Sequence, residues 1–433
     1  MDPTRWPLAS QLPRIRCYGK EHGVLMGRGS PFLVRTMIAM LLAFSIVAMT
    51  SNAVLGQTIK IGASIALSGS MSREGHLLKD GYDFWLDHIN KEGGILVGGR
   101  RHTVQIVFYD DESNAQSSAR LTEKLITEDK VQFLLGPYSS SITMETSLVG
   151  ERRKILTIAP QANAGAIYDR RFKYIISVLP PATEYMKVFL EMASKLNPRP
   201  KTVAIMALGS PFGILVAEGV ADHATRLGYE IVYFEKYPPG AHDVSAVLTR
   251  VKAKNPDVLV VSSYFEEALL IVRQSKQLKF CPKMLALTIG PEISEFAKSL
   301  GKDADYIYGS AWWVPNAGWQ GREFGSSRDY AKAMVKRTGR EPIYPEAAGT
   351  VAGLFLQMAI EKANSLDTDT VRSAFRTMDV ETFWGPAAWN DKGENIMGAS
   401  VPIQIQNGKV VSIYPEHLRE APVRYPMPCW GKR

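Results

Sequence analysis

Residues 131–163 (VQFLLGPYSSSITMETSLVGERRKILTIAPQAN) contain two apolar strands, and each strand ends in a turn of small and polar residues. Gly136 and the hydroxyl cluster at 139–141 follow the first strand, and the turn at 159–163 follows the second. Each turn opens a helix whose first N–H groups lack partners within the helix and attract an anion. In open α/β sheets, ligands bind beyond the carboxyl ends of the strands. The stretch therefore predicts a pocket for a small carboxylate.

The same alternation of strands and helices extends on both sides of this stretch. Upstream, the apolar segments 58–67 and 103–109 are predicted strands, and each is followed by an amphipathic helix. A second series begins near 202–208 and continues to a strand at 283–288. Such βαβ series form parallel sheets covered by helices. We predict an α/β fold with two Rossmann-like lobes.

The N-terminal region has the organisation of an export signal. Arg28 and Arg35 precede the apolar run 36–49, and small residues up to Gly56 follow it. This order is typical of a cleaved signal peptide, and the run is shorter than the roughly 20 residues that span a bilayer. We expect residues 1–56 to be a signal peptide with an upstream extension, and the mature protein to be exported without a membrane-embedded part. A short membrane anchor is the alternative, and Met26 is an alternative start.

Charge and motif content argue against several classes of function. The 433-residue chain carries a net charge of +8, which falls to +4 without residues 1–56 because these hold six Lys/Arg and two acidic residues. That modest excess does not favour nucleic acid as a partner. The sequence has no HExxH, GxSxG or Walker motif, and its histidines lack i, i+4 metal spacing, so we expect no metal, no cofactor and no enzyme activity. Cys281 and Cys429 either form a disulfide or remain thiols.

Short motifs spread along the chain, in this order and spacing, resemble the periplasmic solute-binding proteins of the branched-chain amino acid (Leu/Ile/Val-binding) family. The resemblance covers about residues 58–415. It rests on segments at 59–62, 67–69, 90–95, 109–111, 136–141, 155–163, 211–213, 255–257 and 384–386.

The resemblance implies a type I periplasmic binding fold and a location in the periplasm. It also implies that the protein delivers its ligand to the membrane permease of an ABC importer. It implies two lobes joined by three crossings, the last near 384–393. We expect lobe 1 at 57–179 and 308–389, lobe 2 at 180–307 and 390–415, and a C-terminal tail at 416–433.

The resemblance also places the ligand. By position, the Ser140 hydroxyl, the Gln161 backbone and the backbone and side chain of Asn163 bind the ligand carboxylate, with Ser141 and Ala162 beside them. The alternative is that the serines only cap the helix.

Lobe 2 is expected to contribute Phe212 and Tyr264 as aromatic contacts, and Glu292 against a ligand ammonium. Glu74 and the Trp312-Trp313 pair depart from the family pattern. The pair lies where the family places pocket wall, and Glu74 and Trp313 are expected to line the pocket. A buried Glu74 needs an ammonium, amide or hydroxyl as partner. The ligand therefore stays open between an amino acid and an aromatic or apolar acid.

Two other function classes remain as alternatives. The same fold serves as the ligand-sensing module of receptors and regulators. An exported hydrolase using Ser140 or Ser141 is the third interpretation, although the sequence indicates no histidine and acid partner for them.

Overall fold

The computed structural model describes residues 56–433, which fall within one compact unit. The expected signal peptide lies outside the described residues, apart from Gly56 at the expected cleavage site. The strands are β1 (Ile59–Ile65), β2 (Ile95–Val97), β3 (Arg100–His102), β4 (Val104–Asp110), β5 (Phe133–Leu135), β6 (Thr157–Ala159), β7 (Ile175–Ser177), β8 (Thr202–Leu208), β9 (Glu230–Tyr237), β10 (Val258–Val261), β11 (Met284–Leu287), β12 (Tyr308–Ala311), β13 (Asp379–Thr382), β14 (Gly385–Ala388), β15 (Val401–Gln406) and β16 (Lys409–Ser412).

Helices alternate with these strands over most of the described chain. None of the helices within 56–433 combines the length and apolar character that crossing a membrane requires. The α-helices are α1 (Ser72–Lys91), α2 (Ala115–Thr127), α3 (Ser140–Arg153), α4 (Gly165–Tyr168), α5 (Lys187–Ser194), α6 (Pro211–Arg226), α7 (Ser245–Ala253), α8 (Phe265–Gln277), α9 (Ser294–Leu300), α10 (Ser327–Thr338), α11 (Tyr344–Ala363) and α12 (Thr368–Phe375).

The smaller of the two main sheets has the strand order β4-β1-β5-β6-β7, and its neighbouring strands run parallel. Helices α1 and α11 pack together at close range. A Cβ at Gly81 would overlap the Glu346 carbonyl, and one at Gly353 would overlap the Trp85 ring. The two glycines therefore allow α11, which comes late in the chain, to join the elements of the smaller sheet.

The larger sheet has the order β16-β15-β12-β11-β10-β8-β9. Strands β8 to β12 pair in parallel, whereas β15 pairs antiparallel with β12 and with β16. The β15–β16 hairpin turns at Asn407 and Gly408, which both have positive φ. An Asn-Gly turn is a strong hairpin signal, and in the sequence the segments 397–405 and 409–413 on either side of it predict this hairpin.

The chain passes between the sheets at positions that differ from the expected lobe boundaries. The strand at 308–311 pairs within the larger sheet rather than starting the return to lobe 1. Residues 385–388 form a β-hairpin with 379–382 instead of a crossing. The Ser177 N–H donates to the Gly393 carbonyl at 2.8 Å, and the Asn395 N–H donates to the Ser177 hydroxyl at 2.7 Å, so this segment still lies beside β7. We therefore propose crossings near residues 178–182, 311–315 and 395–401.

The C-terminal tail is attached to the larger sheet. Cys281 and Cys429 form a disulfide with a Cα–Cα distance of 5.2 Å, which decides between the two alternatives that the sequence left open. The Tyr308 hydroxyl donates to the Arg424 carbonyl at 2.7 Å, and the Trp430 indole N–H donates to the Phe280 carbonyl at 2.7 Å. The tail, which lacks a clear sequence pattern, is thus held by its contacts with the folded core.

Candidate functional site

The two strand-end turns of the smaller sheet lie side by side. The Tyr82 hydroxyl donates to the Gly136 carbonyl at 2.6 Å and fixes the turn after β5. Tyr138 pairs with Gln161 in an isolated parallel bridge, which joins this turn to the one after β6. The expected convergence of residues 136–143 and 159–163 is therefore present in the fold.

The hydroxyl cluster marks the start of α3. Ser139 is the N-cap with φ of 77°, and its hydroxyl accepts from the Ile142 N–H at 3.4 Å. A non-glycine residue with such a φ carries backbone strain, and strained residues concentrate at binding sites. Ser140 is buried, and its hydroxyl accepts from the Ala164 N–H at 3.3 Å. This bond holds the Ser140 oxygen between the two turns, where its proton remains available to an acceptor.

The other expected carboxylate contacts have different environments. The side-chain amide of Asn163 donates to the Pro180 carbonyl at 2.8 Å, so this group ties the turn to the first crossing. The Ala162 carbonyl accepts from the Tyr168 hydroxyl at 2.6 Å. Gln161 is buried, and its Nε2 has no hydrogen-bond partner within the described chain. Ser141 borders a cavity of about 530 Å³ that Ser210 and Tyr264 also line.

Aromatic rings from the larger-sheet side face these turns. Tyr264 stacks on Phe212 with ring centroids 5.6 Å apart, and its ring lies 6.1 Å from that of Tyr138. Tyr185 packs edge-on against Phe212 at 5.7 Å and against Trp312 at 5.3 Å. These rings form a continuous wall between the two sheets.

Two buried carboxyl groups, Glu74 and Glu292, lie with the turns and aromatic rings described above. Together these groups are called the cluster between the sheets. Glu74 in the first turn of α1 is 2% exposed, and Glu292 after β11 is 3% exposed. Glu292 Oε2 accepts from the Gly290 N–H at 3.0 Å. Glu292 Oε1 and Glu74 Oε2 have no hydrogen-bond partner among residues 56–433. Burial raises the pKa of Glu74 to about 7 and that of Glu292 to about 8, and the Glu74 charge adds to the rise at Glu292.

Trp313 lies at the edge of this arrangement. Its indole N–H donates to the Phe383 carbonyl at 3.0 Å, and its ring packs edge-on against Tyr330 at 5.5 Å. It also borders a second cavity, of about 680 Å³, together with Glu292 and Tyr344. The neighbouring Trp312 instead reaches the aromatic wall, and its indole N–H has no partner in the described part of the chain.

The sequence did not identify three aromatic residues of this cluster, namely Tyr138, Tyr185 and Tyr344. Tyr138 stands inside the quoted turn and could have been included on that basis. The hydroxyls of Tyr185 and Tyr344 lie 3.4 Å apart although the residues are 159 positions apart in the chain. No local pattern signals such a pair.

One pair of contacts crosses from the smaller-sheet side to the larger-sheet side beside Glu74. The guanidinium of Arg73 lies 3.7 Å from the centroid of the Phe265 ring, and Arg73 Nη1 lies 3.4 Å from Glu266 Oε1. Both groups of the ion pair are substantially exposed, so the pair contributes little by itself. The cation–π contact adds a direct attraction between the two sides.

We expect the packing of the two sides over Glu74 and Glu292 to lose stability as pH rises from 5 to 8. Burial in this packing raises the pKa values of the two carboxyls, so their favourable contribution is complete below about pH 4.5 and is lost as pH passes about 7 and 8. Between pH 5 and 8 the loss amounts to about 3 kcal/mol for Glu74 and about 4 kcal/mol for Glu292, relative to a state in which both carboxyls meet water. Small-angle X-ray scattering of the ligand-free protein should show a larger radius of gyration at pH 8 than at pH 5. A Glu74→Gln/Glu292→Gln variant should show no such change, and an equal response in that variant would contradict the assignment.

Comparison with known proteins identifies a family whose members are similar to this chain over most of its length. The sequence model described as periplasmic binding protein matches residues 58–409. A "Leu/Ile/Val-binding protein homolog 8" from Brucella melitensis is 23% identical over 387 residues, which cover 85% of this chain and 93% of that protein.

Two solved structures extend the comparison. The branched-chain amino acid transporter substrate-binding protein LivJ of Streptococcus pneumoniae, in complex with isoleucine, has a TM-score of 0.71 and 23% identity, covering 85% of this chain and 100% of its own. A solute-binding protein of Rhodopseudomonas palustris in complex with 3,4-dihydroxybenzoic acid has a TM-score of 0.71 and 18% identity, covering 85% and 99%. These likenesses show the fold.

Proposed function

Because this chain belongs to the periplasmic binding protein family and has its two-sheet α/β fold, we propose that it captures a small carboxylate ligand between the two sheets and delivers it unchanged to an ABC importer. The observation that carries the proposal is the cluster of buried polar atoms between the sheets that have no hydrogen-bond partner within residues 56–433. They come from both sides: Gln161 and Glu74 from the smaller-sheet side, Tyr264 and Glu292 from the larger. Polar groups buried in this way normally have a hydrogen-bond partner, which a ligand would supply.

The carboxylate is proposed to bind at the start of α3. There the first N–H groups of the helix carry partial positive charge, and the Ser140 hydroxyl and the Gln161 amide provide further donors. No charged side chain is needed for this interaction. Aromatic rings then cover the rest of the ligand from the opposite side.

The ligand is proposed to stabilise the closed arrangement through contacts that exist only when the two sides meet. Tyr138 and Tyr264 lie on opposite sides of the cluster, and a ligand between the carboxylate site and Glu292 would contact both sides at once. Such differential contact shifts a hinge equilibrium toward the closed form. The closed form is then the one that a permease recognises.

We include the cellular setting in the proposal. Membership of the periplasmic binding protein family implies export, and the apolar run at 36–49 with cleavage near Gly56 is the proposed signal peptide. The hydrolase alternative has no support from the site. Among residues 56–433 the Ser140 hydroxyl accepts from a backbone N–H, and neither Ser140 nor Ser141 hydrogen-bonds to a histidine.

A thermal-shift screen tests the proposal. The ligands of the two solved relatives, isoleucine and a dihydroxybenzoic acid, differ in class, so the screen should contain amino acids, their amides and aromatic acids. A ligand that binds only the native state raises the melting temperature by mass action. Stabilisation by one or more carboxylates supports the proposal. Stabilisation by neutral compounds alone, with none by any carboxylate, would contradict it.

Replacement of Ser140 by alanine is expected to weaken binding of that carboxylate by about 1–3 kcal/mol, or roughly 5- to 150-fold, because one oxygen loses its hydroxyl donor. Isothermal titration calorimetry measures the change. Ser147→Ala is a matched control, since Ser147 is a buried serine of the same helix whose hydroxyl donates within the helix to Met144. Equal affinity of the Ser140 variant and the wild type would remove Ser140 from the site.

A further inference from the structure

The cluster between the sheets contains two acids where a single ligand ammonium needs one. Glu292 occupies the position expected to bind the ammonium of an amino acid. Glu74 lies on the opposite side of the cluster, in the first turn of α1. Arg73, the residue before it, reaches Phe265 and Glu266 of the larger-sheet side, so this turn of α1 lies where the two sides meet.

An acid in the first turn of a helix has an ordinary explanation, because it interacts favourably with the helix dipole. That explanation accounts for exposed acids, which gain from the helix dipole while both oxygens remain hydrated. Glu74 is only 2% exposed, and its Oε2 has no hydrogen-bond partner in the chain from Gly56 onward. A carboxyl group buried without a partner is costly, so the dipole alone does not explain its position.

The cations near Glu74 are already engaged. Arg73 precedes it in the chain, but its guanidinium extends over the Phe265 ring and toward Glu266. Among the described residues, no salt bridge joins Glu74 or Glu292 to a basic side chain, whereas the buried Glu346 of α11 pairs with Arg340. Glu74 and Glu292 thus lack the counterion that Glu346 has.

The surroundings of the two acids favour a nitrogen cation. The rings of Tyr138, Tyr185 and Tyr264 lie in the cluster, and the electron-rich faces of such rings attract ammonium and guanidinium groups. A simple branched aliphatic side chain would leave Glu74 Oε2 without a donor.

Resting on the proposed function, we propose that Glu74 is a second ligand-binding carboxyl and that the ligand is an amino acid with a further nitrogen donor on its side chain: an ammonium, a guanidinium or an amide. In this arrangement the start of α3 holds the carboxylate, Glu292 accepts from the α-ammonium, and Glu74 accepts from the side-chain donor. The site thereby favours ligands that carry two separate nitrogen donors and disfavours leucine-like ligands, which carry only the α-ammonium.

Calorimetry with the full mature protein tests this assignment. The panel contains lysine, ornithine, arginine and glutamine as ligands with two nitrogen donors, leucine as a ligand with one, and 3,4-dihydroxybenzoate as a hydroxyl donor. We expect the tightest binding within the first group. Glu74→Gln, which keeps the shape of the side chain, should weaken binding of the best cationic ligand by 10- to 100-fold and leave leucine binding within about 2-fold.

Glu266→Gln is the control, since Glu266 is an exposed acid that contacts Arg73 at the edge of the cluster. It should change the affinities by less than about 3-fold. A second readout is proton release: a cationic ligand lowers the proton affinity of Glu74, so titrations at pH 7 in buffers of different ionisation enthalpy should show protons released by the wild type and fewer by Glu74→Gln. Melting curves of the ligand-free variant establish that it is folded.

The outcomes separate the inference from the proposed function. If leucine or isoleucine binds best and Glu74→Gln leaves every affinity unchanged, the inference is wrong while the capture function stands. If the dihydroxybenzoate alone binds and depends on Glu74, the donor is a hydroxyl and the nitrogen class is overturned. If no carboxylate binds the folded protein, the capture function itself fails, and the inference fails with it.

Discussion

Truncation of Tyr264 to alanine is expected to weaken ligand binding by roughly 30- to 1000-fold, the effect typical of a central aromatic contact in a desolvated site. Tyr264 stacks on Phe212 and faces Tyr138 across the cluster, so it links the larger-sheet side to the carboxylate-binding turns. Loss of the ring removes contact area that is formed only in the closed arrangement. Calorimetry with the ligand identified by screening measures the change.

Tyr264→Phe is the matched control for this prediction. It keeps the ring and removes the hydroxyl, which has no hydrogen-bond partner within residues 56–433. If the hydroxyl bonds to the ligand, this variant should lose about 0.5–1.5 kcal/mol, much less than the alanine variant. An alanine variant that binds as tightly as the wild type would show that the ring is merely packed against Phe212.

Replacement of Cys429 by serine is expected to lower the free energy of unfolding by about 2–5 kcal/mol. The Cys281–Cys429 disulfide joins residues separated by 148 positions, and cross-links that close long loops restrict the unfolded chain most. The tail also loses its covalent link to the larger sheet. Urea denaturation followed by tryptophan fluorescence measures the change.

The Cys281→Ser/Cys429→Ser double variant controls for an unpaired thiol and should match the single variant. Ligand affinity should stay within about 2-fold in both, because Cys281 precedes β11 whereas Glu292 follows the opposite end of that strand. Addition of dithiothreitol should destabilise the wild type and leave the double variant unchanged. Unaltered stability on reduction would contradict a structural role for the bond.

Much of the architecture could be predicted because it depends on local patterns. Apolar strands bounded by turns, and the Asn407-Gly408 hairpin, are determined by neighbouring residues and appear where the sequence placed them. The position of the strand at 308–311 could not be inferred in this way. It is short, and its place in the larger sheet depends on pairing with strands near 286 and 404.

In the candidate site, too, the features that depend on local sequence could be predicted, and those that depend on distant contacts could not. The turns after β5 and β6 are adjacent because parallel neighbouring strands end at one edge of a sheet, and the sequence is sufficient to predict this. Which of Trp312 and Trp313 faces the cluster is decided by the direction of the chain as it leaves β12. Two consecutive tryptophans give no alternation from which to infer that direction. Tyr185 and Tyr344 come from distant segments that only the packed fold brings together.

The anchored tail has a practical consequence for measuring hinge motion. Arg433 Nη1 donates to the Asp303 carbonyl at 2.8 Å, so the last residue moves with the larger-sheet half. A fluorophore or surface coupling placed after Arg433 would therefore serve as a fixed reference point. A second dye on the exposed surface of α2 would then report opening and closing as a change in energy transfer, provided the protein is produced under oxidising conditions that preserve the bridge.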